Sequence, residues 1–297
     1  PSRNLRTMSR SKDIFGSNED LDPVARYPIL SLNCTSKLSC VTFNPYIKQH
    51  LLSSNYEGKL HLYNVSTGHV QSEYNEHDKR AWSVAWSQQD PLRFASGGDD
   101  TKVKIWSISS PRSDCTIESK ANVCSVVFNP LKSHEIAFGS ADHNAHIYDL
   151  RNASKPVMIL KGHTKAVSYV RYMNQDTLVT ASTDCTLRSW DLTETIDTGS
   201  SFCKRIYSGH MNEKNFVGMD IDPTGKYLAC GSENNNVFIY YKDVAKPLFT
   251  EPFSPNILGY PKNDPAMFVS SICWARKTPN VFIAANSGGH VRLLRVE

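Results

Sequence analysis

Ten histidines, eight cysteines and a large stock of serine and aspartate give this 297-residue chain the raw material for nucleophilic or metal chemistry. One constellation stands out: His163, Ser182, Asp184 and Trp190. A His, Asp and Ser in reach of one another can activate a hydroxyl for attack. No GxSxG turn, P-loop, HExxH helix or kinase signature accompanies them, so nothing supplies the rest of such a site. The cysteines, at 34, 40, 115, 124, 185, 203, 230 and 273, form no C-x-x-C pair, and none has a histidine at finger-like spacing. A zinc centre therefore lacks its ligand set. The spacing of the His163 group instead suits a buried polar chain. Asp184 in a turn accepts from His163, whose other nitrogen faces Ser182, whose hydroxyl reaches the Trp190 indole. Each donor left unpaired in a core would cost roughly 1–3 kcal/mol. This set is expected to be structural, and the chain to be no enzyme, with no metal and no cofactor.

The elements that must position such residues emerge as a repeat. Six segments align: SCVTFNPYIKQHLLSSNYEGKLHLYN, WSVAWSQQDPLRFASGGDDTKVKIWS, CSVVFNPLKSHEIAFGSADHNAHIYD, VSYVRYMNQDTLVTASTDCTLRSWD, VGMDIDPTGKYLACGSENNNVFIYY and VSSICWARKTPNVFIAANSGGHVRLLR. Each holds three short alternating apolar runs separated by Gly-, Asn-, Asp- or Pro-containing turns, which is the pattern of antiparallel strands. The pairs that end the third run are Tyr63–Asn64, Trp106–Ser107, Tyr148–Asp149, Trp190–Asp191, Tyr240–Tyr241 and Leu294–Arg295. They step by 43, 42 and 42 residues and then by 50 and 54, so longer loops belong late in the chain. A period near 42, with Gly–His at 162–163 and 209–210 and Trp–Asp at 190–191, resembles the WD40 repeat. The expected fold is an all-β WD40 β-propeller with six full repeats.

Composition narrows the function classes. Lys plus Arg is 33 against 29 for Asp plus Glu, a net charge of +4, too mild to argue for nucleic acid. No run reaches the roughly 18 apolar residues of a membrane span. The cysteines mostly lie inside apolar runs, as buried thiols of a reducing compartment do. Residues 1–26 are polar, with five basic and four acidic side chains, and read as irregular. Residues 27–297 form the propeller domain. The last repeat lacks an outer strand, and the apolar stretch Tyr27–Leu32 is expected to supply it.

Individual strings carry a closer resemblance: SKLSC (36–40), NYEGKL (55–60), EHDKRAWSV (76–84), GSADHNAHIYDLRN (139–152), GHTKAVSYV (162–170) and GHMNEKNFVG (209–218). From about Tyr27 to Val296 the chain is similar to the WD40 domain of the constitutively photomorphogenic ubiquitin ligase and its suppressor-of-phytochrome-A partners. The long polar linker before Gly209 leans toward the suppressor branch. The resemblance implies seven blades, the first truncated here, with Ser9–Phe15 a remnant of its third strand. It implies a nuclear and cytoplasmic light-signalling protein in a cullin-based ligase complex. Ligase or kinase-like activity, and contacts with other family members, would lie in domains outside this chain.

Strand starts and the turns between the second and third strands converge on one face of a propeller. Equivalent positions there are Lys37, Tyr56, Arg80, Trp82, Asn122, His143, Lys165, Tyr169, Glu213 and Phe216, a mix of aromatic and basic groups that suits a peptide-binding patch. Tyr56 stands where other repeats carry Asp99, Thr183 and Glu233, a polar turn position with no core to fill. Trp82 shares its alternation with Val84 and Trp86, so packing in the core competes with a rim role for it. The resemblance implies short peptides with a Val–Pro pair preceded by acidic residues. Lys37, Arg80 and Lys165 would then face the acidic part, Tyr56, Trp82 and Phe216 the Val–Pro pair, with polar contacts from His143 and Glu213. A second motif, Tyr148, Asp149 and Arg151 around Leu150, resembles the WD-x-R box by which substrate receptors dock on a cullin-ligase adaptor. The competing reading of the whole chain is a scaffold propeller whose rim binds no peptide.

Overall fold

The computed structural model describes residues 5–7, 30–195, 201–253, 266–278 and 280–296. They form six four-stranded antiparallel sheets, and no helix occurs among the described residues. This is the WD40 propeller class, and each sheet is a blade. One compact unit holds blades 1 to 4. Blade 1 is built from Leu38–Phe43, His50–Asn55, Leu60–Asn64 and His69–Tyr74. Blade 2 follows with Ala81–Trp86, Arg93–Gly98, Lys102–Ser107 and Ser113–Glu118. Blade 3 has Val123–Phe128, Glu135–Ser140, Ala145–Asp149 and Met158–Leu160, and blade 4 has Val167–Asn174, Thr177–Ser182, Thr186–Thr195 and Ser201–Ser208. The second unit holds blade 5, from Met219–Ile221 to Phe249–Pro252, and blade 6, whose inner three strands run from Val269–Trp274 to Val291–Val296.

The outer strand of blade 6 is Leu5–Thr7, in register Leu5↔Val296 and Thr7↔Leu294. This corrects the assignment of that strand to Tyr27–Leu32: residues 30–32 carry no strand, and 27–29 lie outside the described residues, as does the remnant expected at 9–15. The reason is visible in the other blades. Outer strands such as Ser113–Glu118 are mostly solvent-facing, so they need backbone donors and acceptors rather than apolar side chains. Hydrophobicity was the wrong guide to an outer strand.

Blades pack through their first strands. Leu52, Leu60 and Leu62 of blade 1 close against Ala81, Val84 and Trp86 of blade 2. The same contact recurs between Ala95, Val103 and Ile105 and the residues Val123, Val126 and Phe128. It recurs again between Ala137, Ala145 and Ile147 and the pair Val167 and Val170. Side-chain oxygens stitch these interfaces: Val126 N donates to Ser83 Oγ at 3.2 Å and Val170 N to Ser125 Oγ at 3.4 Å. On blade 1 the equivalent first-strand residues Leu38, Val41 and Phe43 are 47%, 48% and 58% exposed.

The turn between second and third strands needs a left-handed residue in every blade. Gly58, Thr101, His143, Cys185, Asn235 and Gly289 occupy that place, with φ between +57° and +84°. Gly58 is required twice over, because a Cβ there would meet Lys79 O at 2.4 Å.

A full polar chain is seen in blades 4 and 2. In blade 4, His163 Nδ1 lies 2.8 Å from Asp184 Oδ2, His163 Nε2 lies 2.7 Å from Thr180 Oγ1, and Trp190 Nε1 donates to Thr180 Oγ1 at 2.8 Å. The hydroxyl is therefore Thr180 and not Ser182. Ser182 has the same alternation but sits one pair nearer the turn, where it donates to Lys165 O and accepts from Asp184 N. Blade 2 repeats the chain with His77, Asp100, Ser96 and Trp106 at 2.8, 2.7 and 2.8 Å. Thr180 is fully buried, and its hydroxyl is engaged by His163, Trp190 and, at 3.5 Å, the Arg188 carbonyl.

Glu76, in the place of the usual glycine before His77, forms a clamp of its own. Its carboxylate accepts from Lys104 Nζ at 2.9 Å, Ser113 Oγ at 2.6 Å and Ser113 N at 3.1 Å. Burial would raise its pKa, but the bonds from Ser113 and Lys104 outweigh that and hold it at about 2. Lys104 is 6% exposed and depends on this partner. Glu76→Gln is expected to lower stability by about 1–2 kcal/mol in a denaturant titration, the worth of hydrogen bonds to a charged group.

Candidate peptide-binding rim

One backbone hydrogen bond builds the rim, repeated at the mouths of blades 1 to 4. Tyr56 N donates to Lys37 O, Asp99 N to Arg80 O, Ala141 N to Asn122 O and Thr183 N to Ala166 O, at 2.9 to 3.1 Å. Each bond holds the residue before a first strand against the residue after a second strand. It therefore sets Lys37 beside Tyr56, Arg80 beside Asp99, and Asn122 beside Ala141. Lys165 falls one residue short of the equivalent position, which Ala166 fills. Its side chain is exposed, and its carbonyl serves Ser182.

Just inside the mouth each of these first strands carries a β-bulge. The extra residue is Ser39 in blade 1, Trp82 in blade 2, Cys124 in blade 3 and Ser168 in blade 4. A bulge breaks the alternation and re-aims a side chain. Ala81, Val84 and Trp86 consequently share the core face, and Trp82 does not. That corrects the reading of Trp82 as in phase with Val84 and Trp86: it leaves the core and is half-buried at the rim.

Three aromatic rings meet there. The Trp82 centroid is 5.4 Å from Tyr56 and 5.2 Å from Phe216, both at an interplanar angle of 63°. Edge-to-face pairs of this kind add specific attraction to simple burial. The Arg80 guanidinium lies 5.3 Å from the Tyr56 ring centroid and 5.9 Å from that of Trp82, within cation–π range. Below them the Asp99 carboxylate accepts from Trp82 Nε1 at 2.6 Å and Asn122 Nδ2 at 2.9 Å, and faces Arg80 Nε at 3.9 Å.

The structure thus brings Tyr56, Arg80, Trp82, Asn122 and Phe216 together, with Lys37 tied to Tyr56 through its backbone. His143 is exposed at the left-handed turn position of blade 3, and Glu213 is exposed on the segment leading to Phe216. Among the described residues, no ring or ion-pair contact joins them or Lys165 to the cluster. Tyr169 is half-buried with the Arg171 guanidinium 5.6 Å from its ring. Sequence reasoning missed Asp99 as a member of the site. The signal was its carboxylate at a position that is Tyr56, Ala141 and Thr183 elsewhere.

The second motif lies at the end of the third strand of blade 3. Tyr148 is buried and stacked on Phe138 at 5.6 Å, so its ring belongs to the core. Asp149 caps the turn through Arg151 N at 2.9 Å and pairs with the Arg151 guanidinium, Nη2 to Oδ2 at 2.5 Å. The Arg151 bonds pull the Asp149 carboxyl down to about 2. Arg151 is exposed and is the part of the motif a partner can reach. Among the described residues no cluster of His, Cys, Asp and Glu is arranged to hold a metal ion.

The WD domain, G-beta repeat family matches residues 68–107, 154–191 and 201–240. Protein SUPPRESSOR OF PHYA-105 1 of Arabidopsis thaliana is 46% identical, over 97% of this chain and 28% of its own length. E3 ubiquitin-protein ligase COP1 of the same plant is 43% identical, over 90% of this chain and 38% of its own. WD repeat-containing protein RUP1, also from Arabidopsis thaliana, is 38% identical over 81% of this chain and 62% of its own length. The chain therefore spans 28% and 38% of the first two relatives.

Proposed function

Because this chain belongs to the WD40 domains of the COP1 and SUPPRESSOR OF PHYA-105 family, we propose that it is a non-catalytic substrate-recognition module of a light-signalling, cullin-based ubiquitin ligase. Its rim takes acidic Val–Pro peptides of target proteins such as transcription factors and photoreceptors. The observation that carries this reading is the Tyr56–Trp82–Phe216 cluster under Arg80, a rigid apolar wall on an otherwise polar rim. A proline ring and an aromatic wall both lose little conformational freedom on contact, so the pairing suits tight recognition of a short peptide. Lys37, Arg80 and Lys165 add the positive field that steers an acidic segment. Arg151 is the proposed adaptor contact. Residence in the nucleus and cytoplasm is in keeping with eight cysteines of which none is joined in a disulfide.

Calorimetric titration with a synthetic acidic Val–Pro peptide tests the rim. Binding is expected, weakening as salt rises because exposed charges are screened. Lys165→Glu should flatten that salt dependence more than it changes affinity at high salt. Absence of heat at millimolar peptide would favour the scaffold reading. Arg151→Ala should leave both peptide affinity and melting temperature unchanged while reducing capture of the adaptor.

A further inference from the structure

Trp82 occupies a bulge position that holds Ser39, Cys124, Ser168 and Ser270 in other blades. An indole in so small a site is half out of the core, and its neighbours at the rim, Tyr56, Phe216 and Arg80, are themselves only partly buried or exposed. Its N–H, however, points at Asp99 Oδ1 at 2.6 Å. Asp99 is itself tied down. Its backbone N bonds Arg80 O at 2.9 Å, Asn122 Nδ2 reaches the same Oδ1 at 2.9 Å, and its side chain is only 18% exposed. A carboxylate is no requirement of this turn, since Tyr56, Ala141 and Thr183 make the same backbone bond in the neighbouring blades.

We infer that Asp99 is the positioning residue of the rim: it holds the Trp82 indole upright through Nε1–H, so that the aromatic wall stands ready before a ligand arrives. A hydrogen bond to an ionised acceptor is shorter and stronger than a neutral one, which suits a clamp on a half-exposed ring. An anchor already in its bound geometry spares the ordering that binding would otherwise require. Asp99 also faces Arg80 from below while the rings lie beneath the guanidinium, so one carboxylate orders both the apolar and the cationic parts of the wall. It acts on the wall through Trp82. The inference rests on the peptide-binding reading for its affinity readout and on geometry alone for the rest.

The test uses the 297-residue chain, an acidic Val–Pro peptide as probe, calorimetry, and the indole N–H signals in nitrogen-15 NMR. Asp99→Ala is expected to raise Kd about tenfold, the loss of a bond to a charged group. The Trp82 Nε1–H signal should move and exchange faster with water, with the melting temperature nearly unchanged. Asp99→Asn keeps an acceptor in place and should return Kd to within about threefold of the parent. In a Trp82→Phe background no N–H remains, so Asp99→Ala should add less than about a twofold change. An unmoved indole signal with unchanged Kd, or the full loss persisting in Trp82→Phe, overturns the inference. If the parent chain binds no peptide, the recognition reading falls and the indole signal alone decides Asp99: a shift upholds it, no shift overturns it.

Discussion

Trp82→Ala should remove about 2 kcal/mol or more of peptide binding, roughly a thirtyfold rise in Kd, while leaving the fold intact. Trp82 is the centre of the cluster, touching Tyr56 on one side and Phe216 on the other with Arg80 above. Truncating a central aromatic removes its own contact area and also the edge that holds its neighbours. The protein should tolerate the change because the same bulge accepts Ser39, Ser168 and Ser270 in other blades. Calorimetry and a thermal melt on one sample separate the two effects. An unchanged Kd, or a melting temperature that falls by many degrees, would return Trp82 to a packing role. Tyr56→Ala should behave alike, since Tyr56 is exposed at a turn with no core beneath it.

The second large effect is on stability. Asp184 is nearly enclosed and accepts from His163 Nδ1 at 2.8 Å, Thr186 Oγ1 at 2.6 Å, Thr186 N at 3.0 Å and Thr164 N at 3.1 Å. Asp184→Ala strands several donors and should cost about 2–4 kcal/mol in a denaturant titration. Thr180→Val should cost about 1–3 kcal/mol, because it leaves His163 Nε2 and Trp190 Nε1 unpaired in the core. Ser182→Ala should cost less than Thr180→Val; the reverse order would restore Ser182 to the chain.

The same group dictates how stability responds to acid. Burial lowers the pKa of His163 below 6.5. For Asp184 burial would raise the value, but bonds from His163 and Thr186 outweigh it and hold the carboxyl well below 3.8. Burial also pushes His210 down to about 4. In all three the unfolded chain binds the proton more readily than the folded one. Their contribution is complete above the unfolded values and is lost as pH falls. Melting temperature should therefore decline from about pH 6.5 toward 4 as the unfolded histidines take up protons, and again below about 3.8 for the aspartate. A melting temperature flat from pH 7 to 4 would contradict these directions.

How much of this was legible in the residues follows from what each feature depends on. Inner strands depend on burial, so their alternation and the 42-residue spacing exposed them. Tyr56 was legible as an aromatic at a turn position that holds Asp99, Thr183 and Glu233 in other repeats. The outer strand Leu5–Thr7 was not, because its requirement is a backbone ladder that any polar stretch can meet. Thr180 and Ser182 share one alternation, and only the three-dimensional stagger of the strands decides which faces the indole. Aligning Thr180 with Ser96, both ten residues before their tryptophans, would have found it. Trp82 was misphased because a bulge inserts one residue without any sequence punctuation. Asp99 belongs to a neighbouring strand end, and its tie to Trp82 exists only once the mouth bond has formed.

Blade 2 packs against blade 1 on one side and blade 3 on the other. In a stack held by nearest-neighbour interfaces, an element clasped on both faces opens only at high free energy. Arg80, Trp82 and Asp99 all ride on that blade, so the centre of the ligand wall stands on a fixed post, and a peptide that lands there spends little entropy in stilling it.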